Sequence, residues 1–564
     1  MKILWLDINS SYSHSSVALP AIHAQVQEKA EGWEWCVVRG TINDNPGALA
    51  AEVAEQGPDV VAGTFWLFTH NMQLEVLSRV AALLEGVRVV CGGPEFLGDN
   101  EDFLRRNTFV SAVIRGEGEE ALPQWLGAIG DESRWESIRG LCWISKAEDG
   151  DSRGTYHDNG TARVEDFASL RYPEESRFFN WDKPFVQMET TRGCFNTCAF
   201  CVSGGEKPVR YQSLGQVRDR LKNIHSHGIK DVRVLDRTFN YDTSRACGML
   251  DMFEEYAGKM RFHLEIHPSL LSEPLKARLS SLPAGLLHLE AGIQSLDGKV
   301  LSESGRKGSL SSSVAGLEYL CSLSNLETHA DLIAGLPGYG LEELMADIVR
   351  LAGMKAGELQ IESLKVLPGT VMRQNARSKG LKYSPLPPYE ILQTPAMTPG
   401  ELKRAMDISR MVDLYYNSGA WQAVTRRLMC EDAGFISKFT SYLKDMMVLD
   451  SPVSLERRGI ILYEYCKSDL PEMLSDISTA WIEGGFSLKK EPAGRTVRVK
   501  HIEAFMEENA LSVKYGRPDS GHRYYLHTSG DRQTLFGYDS SEHQPAPVFR
   551  AEVIPGLYQA DRTE

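Results

Sequence analysis

No apolar run in these 564 residues approaches the roughly 20 needed to cross a bilayer as a helix, so no membrane span is expected. The opening stretch, Met1-Lys2-Ile3-Leu4-Trp5-Leu6-Asp7, lacks the charged leader and long apolar centre of a secretion signal and reads as a short strand. Positive charge is also scarce. The formal balance is −15 and the pI near 5.5, so no global basic field exists to hold a phosphate backbone, and nucleic acid is not an expected partner. Most of the ten cysteines, including Cys36, Cys91, Cys142, Cys247, Cys321, Cys430 and Cys466, stand isolated, which is not the spacing of a disulfide framework. A reducing, cytoplasmic setting is expected. Apolar residues at 42% are enough for real cores, and the length predicts about three or four domains.

The remaining cysteines lie together in Thr191-Arg192-Gly193-Cys194-Phe195-Asn196-Thr197-Cys198-Ala199-Phe200-Cys201, a C-x3-C-x2-C spacing that follows the strand-like run 185–189. Three thiolates on one loop can serve zinc, a disulfide or an iron–sulfur cluster. Zinc usually takes a fourth ligand from a second knuckle, and none is recognisable downstream. On a cubane, three protein thiolates leave one iron open. The spacing, the preceding strand, the Arg-Gly lead-in and the aromatic residue before the last cysteine resemble the radical SAM superfamily. That resemblance implies a [4Fe-4S] cluster on Cys194, Cys198 and Cys201. Its free iron would chelate S-adenosylmethionine (SAM), whose reductive cleavage gives methionine and a 5′-deoxyadenosyl radical.

In the N-terminal third, apolar runs at 3–6, 36–38, 60–63 and 87–91 alternate with helix-like stretches at 19–28, 46–55 and 73–84, predicting a doubly wound parallel sheet. Ligands of such sheets bind beyond the carboxyl ends of the strands. Those ends carry Asp7 to Ser16, Thr64 to Asn71, Gly92-Gly93-Pro94-Glu95 and Arg115-Gly116-Glu117-Gly118-Glu119. Placed before a radical SAM core, the two glycine turns resemble the cobalamin-binding domain of the class B, cobalamin-dependent radical SAM enzymes. The resemblance implies cobalamin contacts at Asn9, His14, Thr64, Asn71, Gly92, Gly93 and Glu117. The Asp-x-His-x-x-Gly signature is absent: Asp7-Ile8-Asn9 puts an asparagine where the cobalt-binding histidine would stand, so cobalamin is expected without that ligand. His14 and His70 occupy neighbouring loops. A rival resemblance, to the methylthiotransferases, needs a second cluster on upstream cysteines, but Cys36 and Cys142 lie within apolar strand-like runs.

A polar stretch with turns at Asp149-Gly150-Asp151-Ser152 and Asp158-Asn159-Gly160 predicts a short hairpin and connector. Beyond it, strands at 185–189, 232–236, 262–266, 286–294, 328–335 and 359–367 alternate with helices, predicting a partial (β/α)6 barrel with its site at the strands' carboxyl ends. Polar residues recur there. The resemblance implies Phe200 against adenine, Asp236 and Glu265 at amino or ribose hydroxyl groups, Gln294 with Arg306 at ribose and the methionyl carboxylate, and Glu290 beside them. The family's usual Gly-Gly-Glu after the second strand is replaced by Leu235-Asp236-Arg237-Thr238-Phe239.

After the proline-rich exit 385–390, helices are expected at 401–416, 422–429, 435–447 and 456–482, then strand-like alternation over 496–553. The fold class expected is therefore α/β: a cobalamin-binding domain (1–135), a linker (136–181), a partial barrel (182–395) and a mainly helical extension with a β-containing tail (396–564). The implied activity is radical methylation of an unactivated carbon in a small molecule, lipid or peptide, with a flavodoxin or ferredoxin as electron donor. Cyclisation, rearrangement or redox chemistry with the same cofactors is the alternative. A non-catalytic cobalamin sensor would not need the intact cysteine triad.

Overall fold

A computed structural model describes residues 1–26, 32–145, 154–492, 495–529, 532–539 and 547–553. The turn expected at Asp149-Gly150-Asp151-Ser152 and the last positions of the helix expected over 19–28 lie outside these residues. The chain forms two compact units, residues 1–343 with 362–402, and residues 344–361 with 403–564.

The first unit begins with strands β1 (Lys2–Asn9), β2 (Glu34–Thr41), β3 (Val60–Thr64), β4 (Arg88–Gly92) and β5 (Ala112–Ile114), followed by β6 (Leu141–Ile144) and β7 (Tyr156–Asp158). They form one sheet in the order β2-β1-β3-β4-β5-β6-β7, parallel through β5 and antiparallel beyond it. The side-chain alternation of β1 explains why both faces are covered. Ile3 and Trp5 pack with Trp125 and Trp135 on one side, whereas Leu4, Leu6 and Ile8 pack with Phe65, Val76 and Val80 on the other. Chain order reverses between β1 and β3, and the loops at that switch point form a natural ligand crevice.

The barrel sheet has β8 (Val186–Met188), then a two-residue hairpin pair β9 (Thr191–Arg192) and β10 (Arg210–Tyr211) that brackets the cysteines. Strands β11 (Asp231–Val234), β12 (Arg261–Ile266), β13 (Leu287–Gln294) and β14 (Glu327–Ala334) follow, in the order β8-β11-β12-β13-β14. Burial alternates residue by residue along β8, β11, β12 and β13, most fully in β13 from Leu287 to Gln294. The half-buried set of β12 and β13, Arg261, His263, Glu265, His288 and Glu290, lines one polar face. A bulge between Gly292 and Gln294 ends the regular pairing of β13, and Gln294 takes φ 69° there.

The second unit is helical around aromatic packing of Tyr415, Phe435, Phe439 and Tyr465 and of Trp421, Trp481 and Phe486. The single helix expected over 456–482 is two helices, Leu455–Asp469 and Leu474–Glu483, because Pro471 starts a 3-10 turn between them. Four antiparallel strands follow, Arg495–Arg498, His522–Ser529, Arg532–Asp539 and Phe549–Val553. Among the described residues no helix is long and apolar enough to cross a membrane.

Candidate functional site

The cysteine loop is fixed at its root by a buried carboxylate. Asp236, 1% exposed, accepts from the Thr190 N–H at 2.7 Å, from the Thr191 N–H at 2.8 Å and from the Thr190 hydroxyl. Its carboxylate is turned inward and holds the end of β8. Gly193 follows with φ 95°, and a Cβ there would stand 2.6 Å from the Glu206 carbonyl, so only glycine permits this approach. Cys194 N–H donates to that same carbonyl at 3.0 Å. Burial raises the pKa of Cys198 and of Cys201; Cys201 and Cys194 add to the rise at Cys198, and Cys194 adds to it at Cys201. Three soft sulfurs on one loop fit an iron–sulfur cluster.

Around this loop the structure gathers part of the expected set. Arg306 donates to the Gly292 carbonyl and lies 3.8 Å from Cys198 Sγ. The Gln294 amide folds over Gly292, its Nε2 2.5 Å from where a Cβ would be. Glu265 stands 3.6 Å from Arg237, and burial pushes it up to about 7 against the pull of that guanidinium. Glu290 is 3.1 Å from His263 Nε2, whose hydrogen bond holds its pKa down. Phe200 is half-buried beside the last cysteine.

Beside the loop lies a cavity of about 600 Å³, of the size that takes a cofactor. Its walls come from both sheets: Thr64, Gly92, Gly93 and Glu117 on one side, Gln187, Glu189, Leu235 and Arg237 on the other. Gly93 at φ 108° brings its turn so close to Phe65 that a Cβ would meet the Phe65 carbonyl at 2.6 Å. This leaves a smooth floor at the switch point, and with Trp5, Ile22, Ile114 and Leu122 it suits a broad, mostly apolar ring system. Asn9, His14 and Asn71 are not among the lining residues. The Asn9 amide donates to Asp7 at 3.2 Å, His14 Nδ1 is 2.6 Å from the Ser11 hydroxyl, and Asn71 is exposed. His70 is also occupied: its Nδ1 lies 2.9 Å from Glu95, which accepts from the Tyr389 hydroxyl at 2.8 Å.

One cluster was not foreseen. Arg192 reaches Glu119 at 2.5 Å, Glu189 at 2.9 Å and Glu117 at 3.4 Å, while Arg210 reaches Glu117 at 2.6 Å and Glu206 at 2.7 Å. Burial draws Glu117 upward, and Arg210 with Arg192 outweighs it, so Glu117 stays ionised. The Gly-Glu-Gly-Glu turn thus grips the two strands that flank the cysteines. Its charges were visible in sequence, but nothing in their spacing pairs residues 117 and 119 with 192 and 210.

Three family models match successive stretches of the chain. The B12 binding domain family matches residues 6–126, the radical SAM superfamily 188–351, and a family of proteins of unknown function, DUF4080, residues 378–480. An uncharacterized methyltransferase of Pyrococcus horikoshii, PH0819, is 28% identical over 203 residues, covering 35% of this chain and 44% of that protein. The cobalamin-dependent radical SAM methyltransferase TokK of Streptomyces tokunonensis is 22% identical over 358 residues, 57% of this chain and 50% of TokK. The chain thus spans about half the length of the curated relatives it matches. In fold it is similar to the radical SAM methyltransferase TsrM of Kitasatospora setae, solved with tryptophan and a SAM analog, at a TM-score of 0.56 and 17% identity over 72% of this chain and 83% of TsrM. TsrM has also been solved with cobalamin and a [4Fe-4S] cluster. The segment that matches the B12 binding domain family and the segment that matches the radical SAM superfamily thus line one cavity.

Proposed function

We propose that this enzyme methylates an unactivated carbon of a small-molecule, lipid or peptide substrate. The observation that carries this reading is the shared cavity, whose walls join the Gly92-Gly93 and Glu117 turns to the barrel end bearing Glu189 and Arg237. When bound, the cluster and SAM supply a 5′-deoxyadenosyl radical to activate the carbon, and cobalamin supplies the methyl group. Cys194, Cys198 and Cys201 hold the cluster. Phe200 packs on adenine, Gln294, Arg306 and Glu290 orient the ribose and methionyl ends, and Glu265 meets the amino group. Thr64, Gly92 and Gly93 cradle the corrin, within a domain spanning residues 1–135. The linker 136–181 and the barrel 182–395 complete the site. A flavodoxin or ferredoxin provides the electron.

The test is stoichiometry. Turnover consumes two molecules of SAM per methylated product, one cleaved to 5′-deoxyadenosine and one converted to S-adenosylhomocysteine, in about equal amounts. 5′-Deoxyadenosine without S-adenosylhomocysteine rejects methyl transfer in favour of cyclisation or rearrangement. Neither product, from protein with a reducible cluster, rejects both in favour of a cobalamin sensor.

A further inference from the structure

Residues 366–389 touch both halves of the site. At one point they hold the cysteine loop. Met372, fully buried in the short helix Val371–Gln374, donates its N–H at 2.8 Å to the carbonyl of Ala199, which lies between Cys198 and Cys201. Thr370 fixes the start of that helix, its hydroxyl accepting from the Arg373 N–H at 3.2 Å. At another point they hold the turn beside the cavity floor. Gly369 takes φ 77°, and a Cβ on it would stand 2.7 Å from the Leu97 carbonyl; one on Gly98 would stand 3.1 Å from the Gly369 backbone nitrogen. Backbone therefore rests on backbone with no side chain between. Leu97 itself lines the cavity.

Tyr389 closes the frame. Its carbonyl accepts from the Val366 N–H at 2.9 Å, and Arg373 both covers its ring at 4.6 Å and donates to the Val366 carbonyl at 3.1 Å, so the two ends of the segment are bound to each other. Its hydroxyl donates at 2.8 Å to the Glu95 oxygen that also lies 2.9 Å from His70 Nδ1. Tyr389 and Glu95 are both buried, so water does not replace this bond when it breaks. Neither residue lines the cavity, but Glu95 directly follows Gly92-Gly93-Pro94, which does.

A loop of metal-binding thiolates takes its final order from the metal, because only the metal draws the ligands together. Ala199 sits inside that loop, so order gained there passes through Met372, Gly369 and Tyr389 to the Gly92–Leu97 turn. We infer that residues 366–373 and Tyr389 form a strut that couples the two cofactor sites, so that cluster loading preorganises the cavity floor and the corrinoid enters second. Tyr389 is a positioning residue, acting on the floor through Glu95. The inference rests on the cluster and cobalamin readings above. Coupling of this kind is reciprocal: a seated corrinoid holds the cluster more tightly by the same factor.

The experiment measures the affinity of the full-length protein for hydroxocobalamin by anaerobic equilibrium dialysis, with the cluster loaded and after iron is removed by chelation. In the wild type, loading is expected to tighten binding about tenfold. Tyr389→Phe removes only the hydroxyl, and Gly369→Ala pushes the strut off Leu97; each should bring the loaded-to-unloaded ratio to within about twofold of one. Tyr319→Phe, which loses a hydroxyl bond to the Lys276 carbonyl elsewhere in the barrel, should keep the wild-type ratio. Iron retention is the second readout. Hydroxocobalamin should raise the chelator concentration that strips half the iron about tenfold in the wild type and leave it unchanged in both strut variants. A wild-type ratio near one, a full ratio in either strut variant, or a ratio lost in Tyr319→Phe as well overturns the strut while both cofactor readings stand. No hydroxocobalamin binding by the loaded wild-type protein removes the cobalamin reading, and the strut with it.

Discussion

Arg192 Nη2 donates to Glu119 Oε1 at 2.5 Å, across 73 positions of sequence. The side chains are 13% and 7% exposed, so each charge has left water and depends on the other.

Removing one partner strands the other. Arg192→Ala should cost about 3–5 kcal/mol of stability in urea unfolding of the metal-free protein, and Glu119→Gln should cost less because the amide still accepts. Cys198→Ala should instead strip iron on reconstitution and leave the metal-free unfolding curve in place. A cost under about 1 kcal/mol for Arg192→Ala would mean that the pair behaves as a surface ion pair.

Cobalt should have no protein nitrogen on its lower face. His14 is held by Ser11 and His70 by Glu95, and neither lines the cavity. Electron paramagnetic resonance of the cob(II)alamin form should therefore lack axial nitrogen superhyperfine splitting, and His14→Ala and His70→Ala should leave the spectrum unchanged. Splitting that disappears in either variant would identify that histidine as a ligand.

His23 should make the first unit acid-sensitive. It is 6% exposed, 2.9 Å from the Ser176 hydroxyl and ringed by Trp35 and Phe178, and burial, then Arg177, lowers its pKa to about 4. The folded state holds it neutral while the unfolded chain takes up a proton near pH 6.5. This contribution is complete above about pH 6.5 and is lost as pH falls toward 4, amounting to about 3 kcal/mol. His23→Gln should flatten that part of the pH–stability profile, as followed by urea unfolding at stepped pH. A profile identical to wild type would show that His23 is protonated in the folded protein.

Alternation of short apolar runs with amphipathic stretches made both parallel sheets legible, because burying a strand on two faces leaves a plain hydrophobic signature. The cysteine spacing was legible for the same reason of proximity, since its residues lie on one loop. What the sequence concealed was direction and distance. Asp236 shares the parity of Val232 and Val234, the buried side of β11, whereas Glu265 shares that of Arg261 and His263 on the half-buried side of β12. That clue was available, though a charged residue at a strand end suggested a ligand more strongly. The Arg192 and Arg210 pairings offered no clue, because they depend on how the first sheet meets the barrel.

Glu95 closes a loop of 294 positions by accepting from Tyr389, a residue 7% exposed, while it also holds His70. It immediately follows Gly92-Gly93-Pro94, the floor of the cavity. A nascent chain completes the first sheet early, but this floor lacks its clamp until the ribosome has released residue 389. The order of synthesis therefore makes this cavity floor one of the last parts of the first unit to be finished.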